Sequence, residues 1–101
     1  MKKFYDKDQK LNIELSQESD DDLFTKIADL IIKKFDGTTM QKLDSMDQRY
    51  WDFKLDMVEF CLHQEHFLGI SIYAKNTQSN DIVTGIAHYL NKEVLNKTWD
   101  E

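Results

Sequence analysis

At 101 residues, 41% hydrophobic and 32% charged, with no proline and three glycines, the chain has the make-up of one globular domain and not of a linker or low-complexity tail. Its net charge of −6, with Arg49 the single arginine, leaves no basic stripe for phosphates and argues against a nucleic-acid partner; carboxylates suit cationic partners better. No apolar run reaches the roughly 20 residues of a membrane span. Asp6, Lys7, Asp8 and Lys10 leave no apolar core for a signal peptide, and Cys61 has no internal partner for a disulfide, so a cytoplasmic location without membrane contact is expected.

Residues 1–10 are polar, with Phe4 and Tyr5 as candidate anchors. Leu11, Ile13 and Leu15 alternate with Asn12 and Glu14, the period of a half-buried strand. Ser19 followed by Asp22 resembles a capping box, and Asp20 and Asp21 suit the positive end of a helix dipole. The helix is expected over about 20–35, with an apolar stripe of Leu23, Ile27, Leu30 and Ile31, Lys33 and Lys34 in the last turn, and Gly37 just past the end. The three aspartates do not make a metal site there, because consecutive helical residues point in different directions. Thr38 to Gln48 reads as a strand or a loop, since Met40 and Leu43 do not alternate.

From Tyr50 to Lys75 the pattern is clearest. Trp51, Phe53 and Leu55, then Val58, Phe60 and Leu62, then Leu68, Ile70, Ile72 and Ala74 are apolar at every second position. Side chains of a strand alternate between faces, so these are three strands with one dry and one wet side, as antiparallel sheets have. Asp56-Met57 and His66-Phe67-Leu68-Gly69 occupy the turns, with Gly69 suited to a positive φ. A second helix is expected from a cap at Ser79 or Asn80, with Ile82, Val83, Ile86, Ala87, Tyr89, Leu90, Val94 and Leu95 as its stripe. Gly85 weakens it by up to about 1 kcal/mol against alanine, and its missing side chain suggests close packing on the sheet. Lys92 and Lys97 fall near its end, and Trp99 is either an anchor or frayed.

The expected fold is therefore a single α+β domain over 1–101: a two-layer sandwich in the order β-α-β-β-β-β-α, a mostly antiparallel sheet of four to five strands with two helices on one face. The core is assigned to Leu11, Ile13, Leu15, Leu23, Ile27, Leu30, Ile31, Trp51, Phe53, Leu55, Phe60, Leu62, Ile70, Ile72, Ile82, Ile86 and Leu90.

Chemistry has few candidates. His63-Gln64-Glu65-His66 offers metal or acid–base groups, but the two histidines are three apart on a strand end, not four apart on a helix. His63 and Glu65 share the wet face and His66 points away, so a site there needs a third residue from a neighbouring strand. Cys61 lies two residues from His63, about 6–7 Å along a strand, too far for a direct hydrogen bond. It reads as a half-exposed bystander. No cofactor-binding glycine pattern and no multi-cysteine zinc motif is present.

At Trp51-x-Phe53 and at Phe60-x-Leu62-His63-x-Glu65-x3-Gly69-Ile70 the chain resembles small bacterial domains of unknown function. In length, acidity and order of elements it is also similar to immunity proteins, which neutralise a toxin from a neighbouring cell. That resemblance implies stoichiometric protein binding without catalytic residues. The expected contact surface is Asp52, Lys54, Asp56, Glu59, His63, Glu65 and Tyr73, meeting a protein partner such as a cationic toxin. The alternatives are a small metal-binding or hydrolytic domain using His63 and Glu65, and a homodimer that buries the open sheet face.

Overall fold

The computed structural model describes residues 2–95. Six strands form one sheet: β1 (Lys3–Tyr5), β2 (Leu11–Ser16), β3 (Thr38–Asp44), β4 (Gln48–Leu55), β5 (Val58–Glu65) and β6 (Gly69–Ala74). Their spatial order is β1-β2-β6-β5-β4-β3, every neighbouring pair antiparallel. Two helices, α1 (Asp21–Phe35) and α2 (Asn80–Leu90), lie on one face. The α+β class is as expected, but the sheet has six strands, not four to five. The additional strand is β1, which pairs with β2, and 38–44 is a strand and not a loop.

The alternation read from 51 to 74 decides the layers. Phe53, Phe60, Leu62, Ile70, Ile72 and Ala74 are buried beneath the helices with Ile13 and Leu15 from β2. Strand register puts Phe53 opposite Phe60, and Leu62 opposite both Trp51 and Ile72. Leu68 departs from the pattern: it lies in the turn, 65% exposed. Phe4 and Tyr5 are each 55% exposed and lie outside the core cluster.

The buried face of α1 is Phe24, Ile27, Ala28 and Ile31; Leu23 and Leu30 sit at its margins. Phe24 meets the edge of Trp51 with ring centroids 4.8 Å apart. Trp51, Leu55 and Ile82, assigned to the core, pack only partly buried against it, while Val83 and Ala87 are inside. Asp20, not Ser19, caps the helix, its Oδ1 accepting from the Asp22 and Leu23 amides at 2.9 and 3.1 Å. At the other end Asp36 takes the left-handed conformation expected of Gly37, and the N–H groups of both donate to the Ile31 carbonyl.

Ser79 stands at the cap position of α2 without a side-chain cap bond; Asn76 instead holds the 3-10 turn (Thr77–Ser79) that leads into it, accepting from the Ser79 amide at 3.1 Å. Asn80 ties α2 to the β1–β2 hairpin, accepting from the Leu11 amide and donating to the Gln9 carbonyl. Beyond Leu90 the helix widens into a π-helical turn, Asn91–Leu95. Lys97 and Trp99 lie outside the described residues. Phe35 packs edge-on against Tyr89 at 5.3 Å and joins the two helices.

Gly85 does not pack on the sheet: a Cβ there meets nothing within 4 Å. Gly85→Ala is therefore expected to stabilise the fold by roughly 0.5–1 kcal/mol, through helix propensity and a less flexible unfolded chain, measured as a raised urea midpoint.

The β4–β5 turn is strained. Asp56 and Met57 both have positive φ, 50° and 71°, the backbone of a type I′ hairpin that normally takes Asn-Gly. Left-handed backbone costs a side-chain-bearing residue about 1–2 kcal/mol, against about 0.4–1 kcal/mol for the extra freedom glycine gives the unfolded chain. Met57 is 82% exposed, so little packing is lost on removing its side chain. Met57→Gly is expected to gain roughly 0.5–1 kcal/mol in chemical denaturation.

Candidate functional site on the open sheet face

The face away from the helices is built by strand register. One row across the sheet runs Asn12, Tyr73, Cys61, Asp52, Gln41; the next runs Glu14, Ser71, His63, Tyr50, Leu43. Adjacent residues in a row come from neighbouring strands, so aromatic groups that are distant in sequence stack. The Tyr50 and His63 rings lie 4.2 Å apart and within 10° of parallel, and Tyr73 presents its edge to His63 at 6.4 Å. Gln48 fixes the pair: its Oε1 accepts from the Tyr50 hydroxyl and lies 3.3 Å from His63 Nε2.

Beside this aromatic patch Lys75 Nζ donates to Asp52 Oδ2 at 2.7 Å, with Asp52 13% and Lys75 39% exposed. The bond to Asp52 raises the Lys75 pKa, against the opposing effect of burial. Cys61 lies beneath, fully buried instead of half-exposed as its alternation on the wet face implied. The neighbouring side chains seal it. Burial pushes its thiol up to about 12, although a hydrogen bond with Tyr73 acts the other way. Such a thiol stays protonated at neutral pH and is no nucleophile. Burial likewise raises the Tyr73 hydroxyl, with the Cys61 contact adding to it.

The proposed contact residues are therefore only partly brought together. Asp52, His63 and Tyr73 lie in the two central rows. Lys54 and Glu59 face each other across β4 and β5, and Glu65 stands opposite Gln48 at the far end. Asp56 is in the strained turn, beyond the strand ends. Tyr50, Gln48 and Lys75 were not singled out by sequence, although Tyr50 and Gln48 share the parity of Asp52 on β4. His66 points away from His63 as expected; with Ser19, Asp21, Arg49 and Gln64 it lines a cleft of about 280 Å³ on the helix side. Within that cleft Gln64 Nε2 donates to Ser19 Oγ and Asp21 Oδ1, and Arg49 lies 3.9 Å from Asp21. Among the described residues no three His, Cys, Asp or Glu side chains converge to hold a metal ion.

His63 has its pKa lowered from 6.5, by burial first, with Glu65 pulling the other way. The folded state thus resists protonation at this ring more than the unfolded chain does. The His63 contribution is intact above pH 6.5 and is lost as pH falls from there through the lowered folded value. NMR titration is expected to place its midpoint below 6.5, and His63→Gln to flatten this part of the stability–pH profile.

Residues 2–95 match the family described as proteins of unknown function, DUF3630. The chain belongs to that family. The match covers both helices and all six strands, so the open face is part of the family's domain and not an appendage. No curated protein and no solved structure matches the chain. Among the described residues no helix is long and apolar enough to cross a membrane.

Proposed function

We propose that the chain is a non-enzymatic binding protein whose open sheet face makes a stoichiometric contact with a cationic protein. The observation that carries this reading is the Tyr50–His63–Tyr73 patch, half-buried on a sheet face that neither helix covers. Aromatic groups held rigid by their neighbours lose little entropy on contact and are common anchors of interfaces. Around them stand the carboxylates Glu14, Asp52, Glu59 and Glu65 and the amines Lys54 and Lys75, an acidic balance that favours a basic partner and rapid, salt-sensitive association. An immunity-type role, in which a bacterial toxin is the cationic partner, fits this surface. The sealing of Cys61 beneath Asp52 and Tyr73, with its thiol pushed up by burial, favours binding over hydrolysis.

A photoreactive residue placed at Lys54 or Glu65 in the native host tests it. The expected result is one discrete cross-linked partner from either probe; the Lys54 cross-link disappears when Glu59 and Glu65 are reversed to lysine and Tyr73→Ala is added. The same probe at Lys26, on α1, is expected to give none. Equal labelling from both sides of the molecule, or no partner from the open face, would overturn the proposal.

A further inference from the structure

The sheet ends on one side in β3, and nothing among the described residues pairs with its outer edge. Every residue of β3 except Thr39 is exposed. The opposite edge, β1, has three residues; β3 has seven. A long free edge is a template for another strand, and proteins usually blunt it with proline, lysine or a bulge. β3 has no proline. It has a bulge, but at Met40, between Thr39 and Gln41, which leaves 41–44 in regular register with β4.

The ladder settles which backbone groups face outward. Ser45 N–H donates to the Gln48 carbonyl at 2.8 Å, so these opposed residues are a hydrogen-bonded pair. Bonded and non-bonded pairs alternate along an antiparallel ladder, so Leu43 bonds inward to Tyr50, and the N–H and C=O groups of Lys42 and Asp44 point out of the sheet. The two residues that offer edge hydrogen bonds are thus one cation and one anion, two apart on the same side of the strand. A second copy, brought up antiparallel about a two-fold axis at Leu43, sets each Lys42 opposite an Asp44. Four backbone hydrogen bonds form, and the two Leu43 side chains, each 54% exposed, meet at the axis. Lys42 Nζ, 4.1 Å over the Trp51 ring, and Asp44 Oδ1, which accepts from Trp51 Nε1 at 2.7 Å, keep these contacts within each copy and face the opposite charge across the seam. Lys42 repels basic edges, but it is matched in a copy of this strand in that one register.

We infer that the chain forms a two-fold dimer by antiparallel pairing of β3 with β3 of a second copy, making one twelve-stranded sheet. This assignment is independent of the role of the open face, which the dimer leaves uncovered and doubles.

Sedimentation across a concentration series, with cysteine cross-linking, tests it. The wild-type chain is expected to show a reversible dimer. K42D and D44K each set like charges opposite each other and are expected to weaken it at least about tenfold, while the K42D/D44K exchange restores it. K42P removes an outward N–H without breaking the β3–β4 ladder and is expected to abolish the dimer, with unchanged circular dichroism of the monomer. L43C is expected to form a disulfide across the axis, where non-bonded partners lie about 4.5 Å apart, whereas Q41C does not. A monomeric mass throughout, a dimer indifferent to K42P, or failure of the double exchange to restore association would overturn it. No cross-linked partner from the Lys54 and Glu65 probes in the otherwise unaltered chain, while the dimer persists, would sink the open-face reading alone.

Discussion

Gly69→Ala is expected to cost more than about 3 kcal/mol, a large fraction of the total stability of a domain of this size. Gly69 begins β6 with φ +97°, and a Cβ built there lies 2.0 Å from the Ser16 carbonyl oxygen and 2.7 Å from the Gln17 carbonyl carbon. Both obstacles are backbone, so no rotamer change makes room. Relief requires β6 to move away from the end of β2, where the ladder already shifts register between Glu14 and Ser16. The cost therefore combines left-handed strain, about 1–3 kcal/mol by itself, with damage to a central strand pair. β6 also carries Ser71 and Tyr73, so the same displacement disturbs the patch around His63. Urea denaturation measures the loss, and the His63 NMR signal reports whether the open face follows. A cost below about 1 kcal/mol would mean that the close approach of Ser16 to Gly69 does not exist.

Gly69 was legible as a turn glycine because it ends the break between two alternating runs; that it also meets another strand was not, since nothing local in the sequence marks a non-local contact. The same distinction separates the rest. The period of two over 51–74 reflects a pleat that every residue obeys, so the layers, the turns and the dry face could be read directly. Strand β1 is short and mostly exposed, and its pairing with β2 depends on a hairpin in which Asp6 Oδ1 accepts from the Asp8 and Lys10 amides while Gln9 sits at φ 65°. Without an Asn-Gly or Asp-Gly signal, that turn looks like loop. In β3 the bulge shifts the parity at Met40, and no run of alternation survives it. The wet face was legible as polar, but polarity did not reveal that Cys61 would be sealed under Asp52 and Tyr73. Nor did it show that Tyr50 and His63 stack; both depend on which strands are neighbours, not on the strands themselves.

The sequence stripe and the structure share Ile27 and Ile31 but differ on whether Leu23 or Phe24 is the more deeply buried, and one pair of substitutions separates them. Phe24→Ala is expected to cost about 3–5 kcal/mol, the range for a large aromatic removed from a packed interior, and Leu23→Ala roughly 1–2 kcal/mol. Choosing Leu23, Ile27, Leu30 and Ile31 gave an acceptable helical spacing, but Phe24, Ile27, Ala28 and Ile31 satisfies it as well, and spacing alone does not choose between them. The sheet does. Its register places Trp51 where α1 crosses β4, and an aromatic ring fits there edge-on, 4.8 Å from the indole, with the Arg49 guanidinium 5.6 Å over its face. Phe24 is fully buried as a result, whereas Leu23 is partly exposed. Truncating Phe24 leaves a cavity against Trp51 that the rigid sheet cannot fill, and removes the aromatic wall on which Arg49 rests. Trp51 and Tyr50 are consecutive on β4 and point to opposite faces, so loosening the first frees the second. The Phe24→Ala protein, where it still folds, is expected to show a weakened Tyr50–His63 contact by NMR, and Leu23→Ala an unchanged one. Equal costs for the two substitutions would mean that α1 is turned by about one residue, and that the helix layer does not brace the open face through Trp51.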